Sequence, residues 1–108
     1  MTDGANWVRL AGVKQVGKGE MFAASAGKRK IAIYHLEDDS WHATDNVCTH
    51  AFALLTEGFL EGDEIECPLH AGRFSVRSGK GLCAPIDADL NSYAVRIDGA
   101  DVLVNIPG

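Results

Sequence analysis

What most constrains the fold of this chain is its punctuation. Short apolar or β-branched runs recur at close intervals, cut by Gly, Asp, Asn and Ser, and none is long enough to read as an amphipathic helix. That rhythm predicts an all-β protein of antiparallel sheets. Residues 30–36, the acidic turn Glu37-Asp38-Asp39-Ser40 and the return run Trp41-His42-Ala43-Thr44 are expected to form a hairpin. A second hairpin is expected from residues 93–97, the turn Asp98-Gly99-Ala100-Asp101 and residues 102–106. Residues 7–10 and 20–23 read as edge or sheet-extending strands, with a turn at Gly17-Lys18-Gly19. Glu64-Ile65-Glu66 and residues 73–76 read as two short strands flanking a loop.

A chain of 108 residues has the size of one domain, and its twelve glycines fall in connections rather than in a linker or a repeat. Ten Lys and Arg against fifteen Asp and Glu give a net charge of -5, which argues against nucleic acid or an anionic membrane as partner. The N-terminus has no cationic segment followed by an apolar stretch, and no window approaches the roughly eighteen apolar residues of a membrane span. A soluble cytoplasmic monomer is expected. The charge is unevenly spread: residues 31–72 hold nine acidic residues and no Lys or Arg.

Three cysteines cannot all pair within one chain, so a disulfide scaffold is not expected and the sulfur has another use. Two of them lie in paired motifs with histidine: Cys48-Thr49-His50, sixteen intervening residues, then Cys67-Pro68-Leu69-His70. Thiolate and imidazole suit soft and borderline transition metals, and two loops offering one of each make a four-ligand site. A Cys2His2 set takes zinc or an iron–sulfur cluster. In zinc fingers the cysteines come as one pair and the histidines as another, whereas each loop here carries one of each. In a Rieske [2Fe–2S] centre two Cys hold one iron and two His the other.

At these residues the chain resembles a Rieske domain, with Cys48-Thr49-His50 and Cys67-Pro68-Leu69-His70-Ala71-Gly72-Arg73-Phe74 as its two boxes. The segment Thr56-Glu57-Gly58-Phe59-Leu60-Glu61-Gly62 and the later Gly81-Leu82-Cys83-Ala84-Pro85 are similar to the soluble Rieske ferredoxins of bacterial aromatic-ring-hydroxylating dioxygenase systems. The resemblance implies a Rieske-type fold over residues 1–108. A small cluster-binding subdomain of two ligand loops would span about residues 45–85, and a basal β-sheet part residues 1–44 and 86–108. It also implies one [2Fe–2S] cluster, with Cys48 and Cys67 on the inner iron and His50 and His70 on the outer iron near the surface. The oxidised ligated centre would be neutral, and the reduced one would carry -1.

Departures from the Rieske proteins of cytochrome bc complexes sharpen the expectation. Those relatives carry an extra Cys in each box, joined as a disulfide, where this chain has Ala51-Phe52-Ala53 and Leu69. They also place a Ser and a Tyr after the second box, whose hydroxyls donate toward the cluster and its Cys sulfur; here Gly72 and Phe74 stand there. Without those donors the reduced state is less favoured, and the midpoint is expected near the low end of the Rieske range, about -150 mV.

Other residues have plainer readings. Cys83 is expected to be a buried structural thiol. Pro85 fits either a loop lying against the cluster or an ordinary turn. His35 and His42 lack ligand spacing and read as hydrogen-bonded sheet residues, and Trp7 and Trp41 as packing aromatics. Glu57, Glu61, Asp63, Glu64 and Glu66 are solvated surface or an acidic field that steers a basic partner. Ala51, Phe52 and Leu69 would form the apolar centre of a transient interface.

There is no dinucleotide fingerprint, no phosphate loop and no plausible second set of two His and one carboxylate for mononuclear iron. The expected function is therefore not enzymatic. The resemblance implies a one-electron carrier from an NAD(P)H-dependent flavoprotein reductase to the Rieske centre of a terminal oxygenase that hydroxylates an aromatic ring, docking near His50 and His70. A Rieske-like small subunit of a nitrite reductase-type enzyme and a structural zinc module are the alternatives.

Overall fold

The computed structural model describes residues 6–49, 52–69, 71–84 and 86–107. Ten strands follow one another: β1 (Trp7–Gly12), β2 (Glu20–Ala26), β3 (Arg29–His35), β4 (Trp41–Asp45), β5 (Phe59–Glu61), β6 (Glu64–Glu66), β7 (Arg73–Ser75), β8 (Ser92–Tyr93), β9 (Val95–Asp98) and β10 (Asp101–Asn105). Single 3-10 turns at Val13–Gln15 and Leu55–Glu57 are the helical elements among the described residues. None is long and apolar enough to cross a membrane. Three antiparallel sheets result, ordered β1-β10-β9, β2-β3-β4-β8 and β5-β6-β7. The all-β reading holds.

Strand β3 shows how the sequence builds two cores from one run. Successive side chains of a strand point to opposite faces. Ile31 and Ile33 therefore join Ala11, Ala43, Val102, Val104 and Ile106 in a basal core. Ala32 and Tyr34 face the other way, with Leu36, into a core containing Cys48, Leu55, Ile65, Cys67, Phe74 and Val76. Between the cores Tyr34 reaches the Thr44 hydroxyl on β4 at 2.9 Å, and burial pushes its phenol far above the ordinary range.

The first expected hairpin forms as β3 and β4, with Leu36 N–H donating to the Ser40 carbonyl at 2.9 Å across the acidic turn. The second forms as β9 and β10, with one correction. Tyr93 does not continue into β9: it pairs with Ala43 of β4 in the four-stranded sheet, and the chain changes sheets at Ala94, whose carbonyl accepts from Asn105 N–H. The apolar alternation of residues 93–97 runs on across that corner, which is why the sequence reads it as one strand. Strands β1 and β2 are edges, as expected, but of different sheets. The two short strands flanking a loop are β6 and β7, paired Glu66 to Arg73; β5, not expected from periodicity, pairs with β6 on the other side.

Candidate metal centre

The first ligand loop leaves β4 and is closed by one buried side chain. Asn46 donates its backbone N–H to the Lys30 carbonyl at 2.9 Å and accepts from Leu55 N–H at 2.7 Å. Its side-chain Oδ1 accepts from Thr56 N–H at 2.9 Å, and its Nδ2 donates to the Thr56 hydroxyl at 3.0 Å. Two residues further, Cys48 N–H donates to the Ala53 carbonyl, and a bridge joins Val47 to Leu54. A buried amide with every group paired holds the loop's two ends together.

The second loop joins β6 to β7. Cys67 N–H donates to the Gly72 carbonyl at 2.7 Å, and Ala71 takes the left-handed conformation at φ 58° that so tight a turn requires. Gly58 lets this loop close on the preceding chain: a Cβ there would stand 2.0 Å from the Glu66 carbonyl oxygen and 3.1 Å from Pro68 Cδ. Outside, the Arg73 guanidinium reaches Glu61 at 2.9 Å, Glu64 at 3.4 Å and Glu66 at 2.9 Å, spanning β5, β6 and β7. A third segment follows the bridge from Gly81 to Phe74 and is held to the first loop by Thr49, whose hydroxyl donates to the Ala88 carbonyl at 2.8 Å.

These loops bring Cys48 and Cys67 together in the interior, 5% and 1% exposed, and neither forms a disulfide. Burial pushes the Cys67 thiol above its ordinary value; a hydrogen bond from Leu69 N–H opposes the shift and the adjacent Cys48 adds to it. Two buried thiols side by side resist becoming two thiolates unless a cationic centre takes the place of their protons. The donor set therefore fits a thiolate-bound metal group. His50 and His70, the other two expected ligands, lie outside the described residues, as do Ala51 and Pro85. Among the described residues no group of three or more His, Cys, Asp or Glu side chains is arranged to hold a metal ion.

The plainer readings fare unevenly. His35 is a hydrogen-bonded sheet residue, with Nδ1 2.9 Å from the Val16 carbonyl, Nε2 2.6 Å from Asp39, and its ring stacked on Trp41 at 3.9 Å. His42 bonds the Ser40 hydroxyl, and Trp7 packs under the Arg96 guanidinium. Cys83 corrects the expectation of a buried thiol. It is exposed, because the turn closed by Ile86 N–H to the Cys83 carbonyl aims Ile86, not Cys83, at the core.

To the two readings of the acidic residues, solvated surface or a steering field, the structure adds that several are ion-paired. Glu61, Glu64 and Glu66 are paired to Arg73, and Asp63 with Asp38 to Arg77, so the arginines that end the acid-only stretch fold back onto it. The clamps Asn46, Gly58 and Thr49 escape a sequence reading because their roles lie in contacts across the fold. Arg73 did leave a signal, as the first basic residue after the acidic run.

Comparison with known proteins agrees with this geometry. Residues 6–94 match the family model of the Rieske [2Fe-2S] domain. The chain is 42% identical over 101 residues to the ferredoxin component of the naphthalene 1,2-dioxygenase/salicylate 5-hydroxylase systems of Ralstonia sp., covering 94% of this chain and 96% of that one. The solved ferredoxin of Sphingomonas yanoikuyae B1 superposes with a TM-score of 0.88 at 35% identity, covering 94% of this chain and all of that one (100%). A chain in the complex of reduced oxygenase and oxidized ferredoxin of carbazole 1,9a-dioxygenase superposes with a TM-score of 0.85 at 32% identity, with 92% of each covered.

Proposed function

The chain belongs to the Rieske [2Fe–2S] domain family, and we propose that Cys48 and Cys67 hold the buried side of its single cluster while His50 and His70 hold the other. It is a ferredoxin component of the aromatic dioxygenase type, an electron-transfer protein and not the catalytic subunit. When bound, the cluster supplies one reversible electron per chain.

The chain's own residues set the terms of that transfer. Cys48 and Cys67 place thiolate charge in the interior, and Leu69 N–H donates to the Cys67 sulfur, offsetting part of the cost of charge there. Asn46 and Arg73 fix the two loops, so little rearrangement accompanies a change of charge. With four protein ligands no coordination position is left for a substrate. Electrons enter from an NAD(P)H-dependent flavoprotein reductase in the cytoplasm and leave to the Rieske centre of a terminal oxygenase acting on an aromatic ring, through brief contacts near His50 and His70.

The observation that carries this reading is the pair of adjacent buried thiols, outside any disulfide, at the base of two loops. Reconstitution tests it. With reductase, oxygenase, NAD(P)H and an aromatic substrate, oxidation should need this protein in catalytic amounts and stop with Cys67→Ser. Equal turnover without the protein would contradict the assignment.

A further inference from the structure

The segments around the thiol pair carry no formal charge, although the chain as a whole is acidic. Residues 47–56, 67–72 and 81–86 contain no Asp, Glu, Lys or Arg. The first two meet through Cys48 and Cys67, and Thr49 ties the first to the segment that follows residue 81. Their exposed side chains include Leu69, 44% exposed, and Leu82, 43% exposed. Phe52 is 99% exposed, which leaves a whole aromatic ring in water at the end of the first loop. A large apolar side chain so placed costs solubility and gains nothing in the folded monomer, and such residues are typical anchors of protein interfaces.

Beside it lies a concavity. Phe52 forms one wall of a cavity of about 370 Å³ lined also by Lys30, Val47, Ala53, Leu54 and Glu57. The surface thus offers a projecting ring next to a mostly apolar recess. The charges that line the recess, Lys30 and Glu57, are one of each sign, so the recess itself carries no net charge.

We propose that Phe52 is the anchor by which this protein recognises its electron acceptor. The ring seats in an apolar pocket of the terminal oxygenase, and the adjoining recess takes an apolar side chain in return. The terminal oxygenase surface complementary to it has an apolar centre and no strong net charge. Recognition then rests on shape and apolar burial more than on long-range charge. This rests on the carrier reading above, with one electron leaving this protein's centre and one arriving at the acceptor's.

Single-turnover transfer from the reduced holoprotein to the oxygenase tests it, read as the half-saturating acceptor concentration. Phe52→Ala is expected to raise that concentration about thirtyfold, the loss of one strong anchor, while midpoint potential and electron paramagnetic resonance signal stay as in the parent. Phe52→Leu should recover most of the loss. For the parent, the value should change less than about threefold between roughly 0.05 and 0.5 M salt.

Phe52→Ala with unchanged half-saturation overturns the proposal, as does a loss confined to the step from the reductase, or a steep salt dependence of the parent. If the parent itself delivers no electron to any such oxygenase, the carrier reading fails instead.

Discussion

The two faces of β3 lead to different kinds of order. On the basal side Ile31 and Ile33 pack into a core framed by longer ladders, β1 against β10 with one register shift between Arg9 and Ala11, and β10 against β9. On the other side Ala32 and Tyr34 back a core where the strands of the outer sheet are three residues long and most of the chain is loop. There the shape is set by single contacts: Asn46 to Thr56, the missing Cβ of Gly58, Arg73 to its glutamates, Thr49 to Ala88. A ladder spreads its specification over many equivalent bonds, whereas each loop depends on one or two residues. Damage to the first region should lower global stability, and damage to the second should empty the site of an otherwise folded protein.

Gly58→Ala should separate the regions most sharply. Its Cβ would overlap the Glu66 carbonyl next to Cys67, so the second loop must shift. The purified variant is expected to keep a β-type circular dichroism spectrum and to lose nearly all cluster absorbance; full cluster content would break the comparison.

Next come two substitutions of similar cost and different outcome. Ile33→Ala in the basal core should cost about 3 kcal/mol in chemical denaturation, with cluster content per folded chain unchanged. Asn46→Ala leaves buried groups of Thr56 and its neighbours unpaired and should cost about 2–3 kcal/mol, but as early cluster loss before the global transition.

Arg73→Met leaves Glu61, Glu64 and Glu66 facing one another without their cation. The guanidinium is only partly buried, which makes this a smaller effect, and added salt should relieve it; denaturation at low and high ionic strength is the check.

The smallest effect is on the pH profile. Burial, then Arg77, holds His42 below its ordinary value. The unfolded chain therefore takes up a proton first. Stability from this group is complete above about pH 6.5, the unfolded value, and is lost as pH falls through the lower folded value. His42→Gln should flatten that limb, measured as the unfolding midpoint against pH.

The same contrast explains what could be read from the sequence. The hairpin of β3 and β4 was legible because alternation and an acidic turn are local signals, and the two Cys/His boxes because ligand chemistry demands those residue types at close spacing. The break at Ala94 was hidden, since Tyr93 and Val95 alternate normally while pairing with different sheets. Asn46 and Gly58 were hidden for a deeper reason: nothing in their neighbours marks an amide that closes a loop or a glycine that admits a carbonyl. Cys83 misled because a small thiol between apolar residues looks buried, while the turn it begins sends Ile86 inward instead.

The most direct test is a redox titration of the purified holoprotein, followed anaerobically by electron paramagnetic resonance. One electron per chain is expected, with a rhombic Rieske-type signal on reduction and a midpoint near the low end of the Rieske range, about -150 mV, because Gly72 and Phe74 offer no hydroxyl to the cluster. A clearly positive midpoint would contradict the electrostatic argument. A colourless protein with stoichiometric zinc and no signal would contradict the cluster itself.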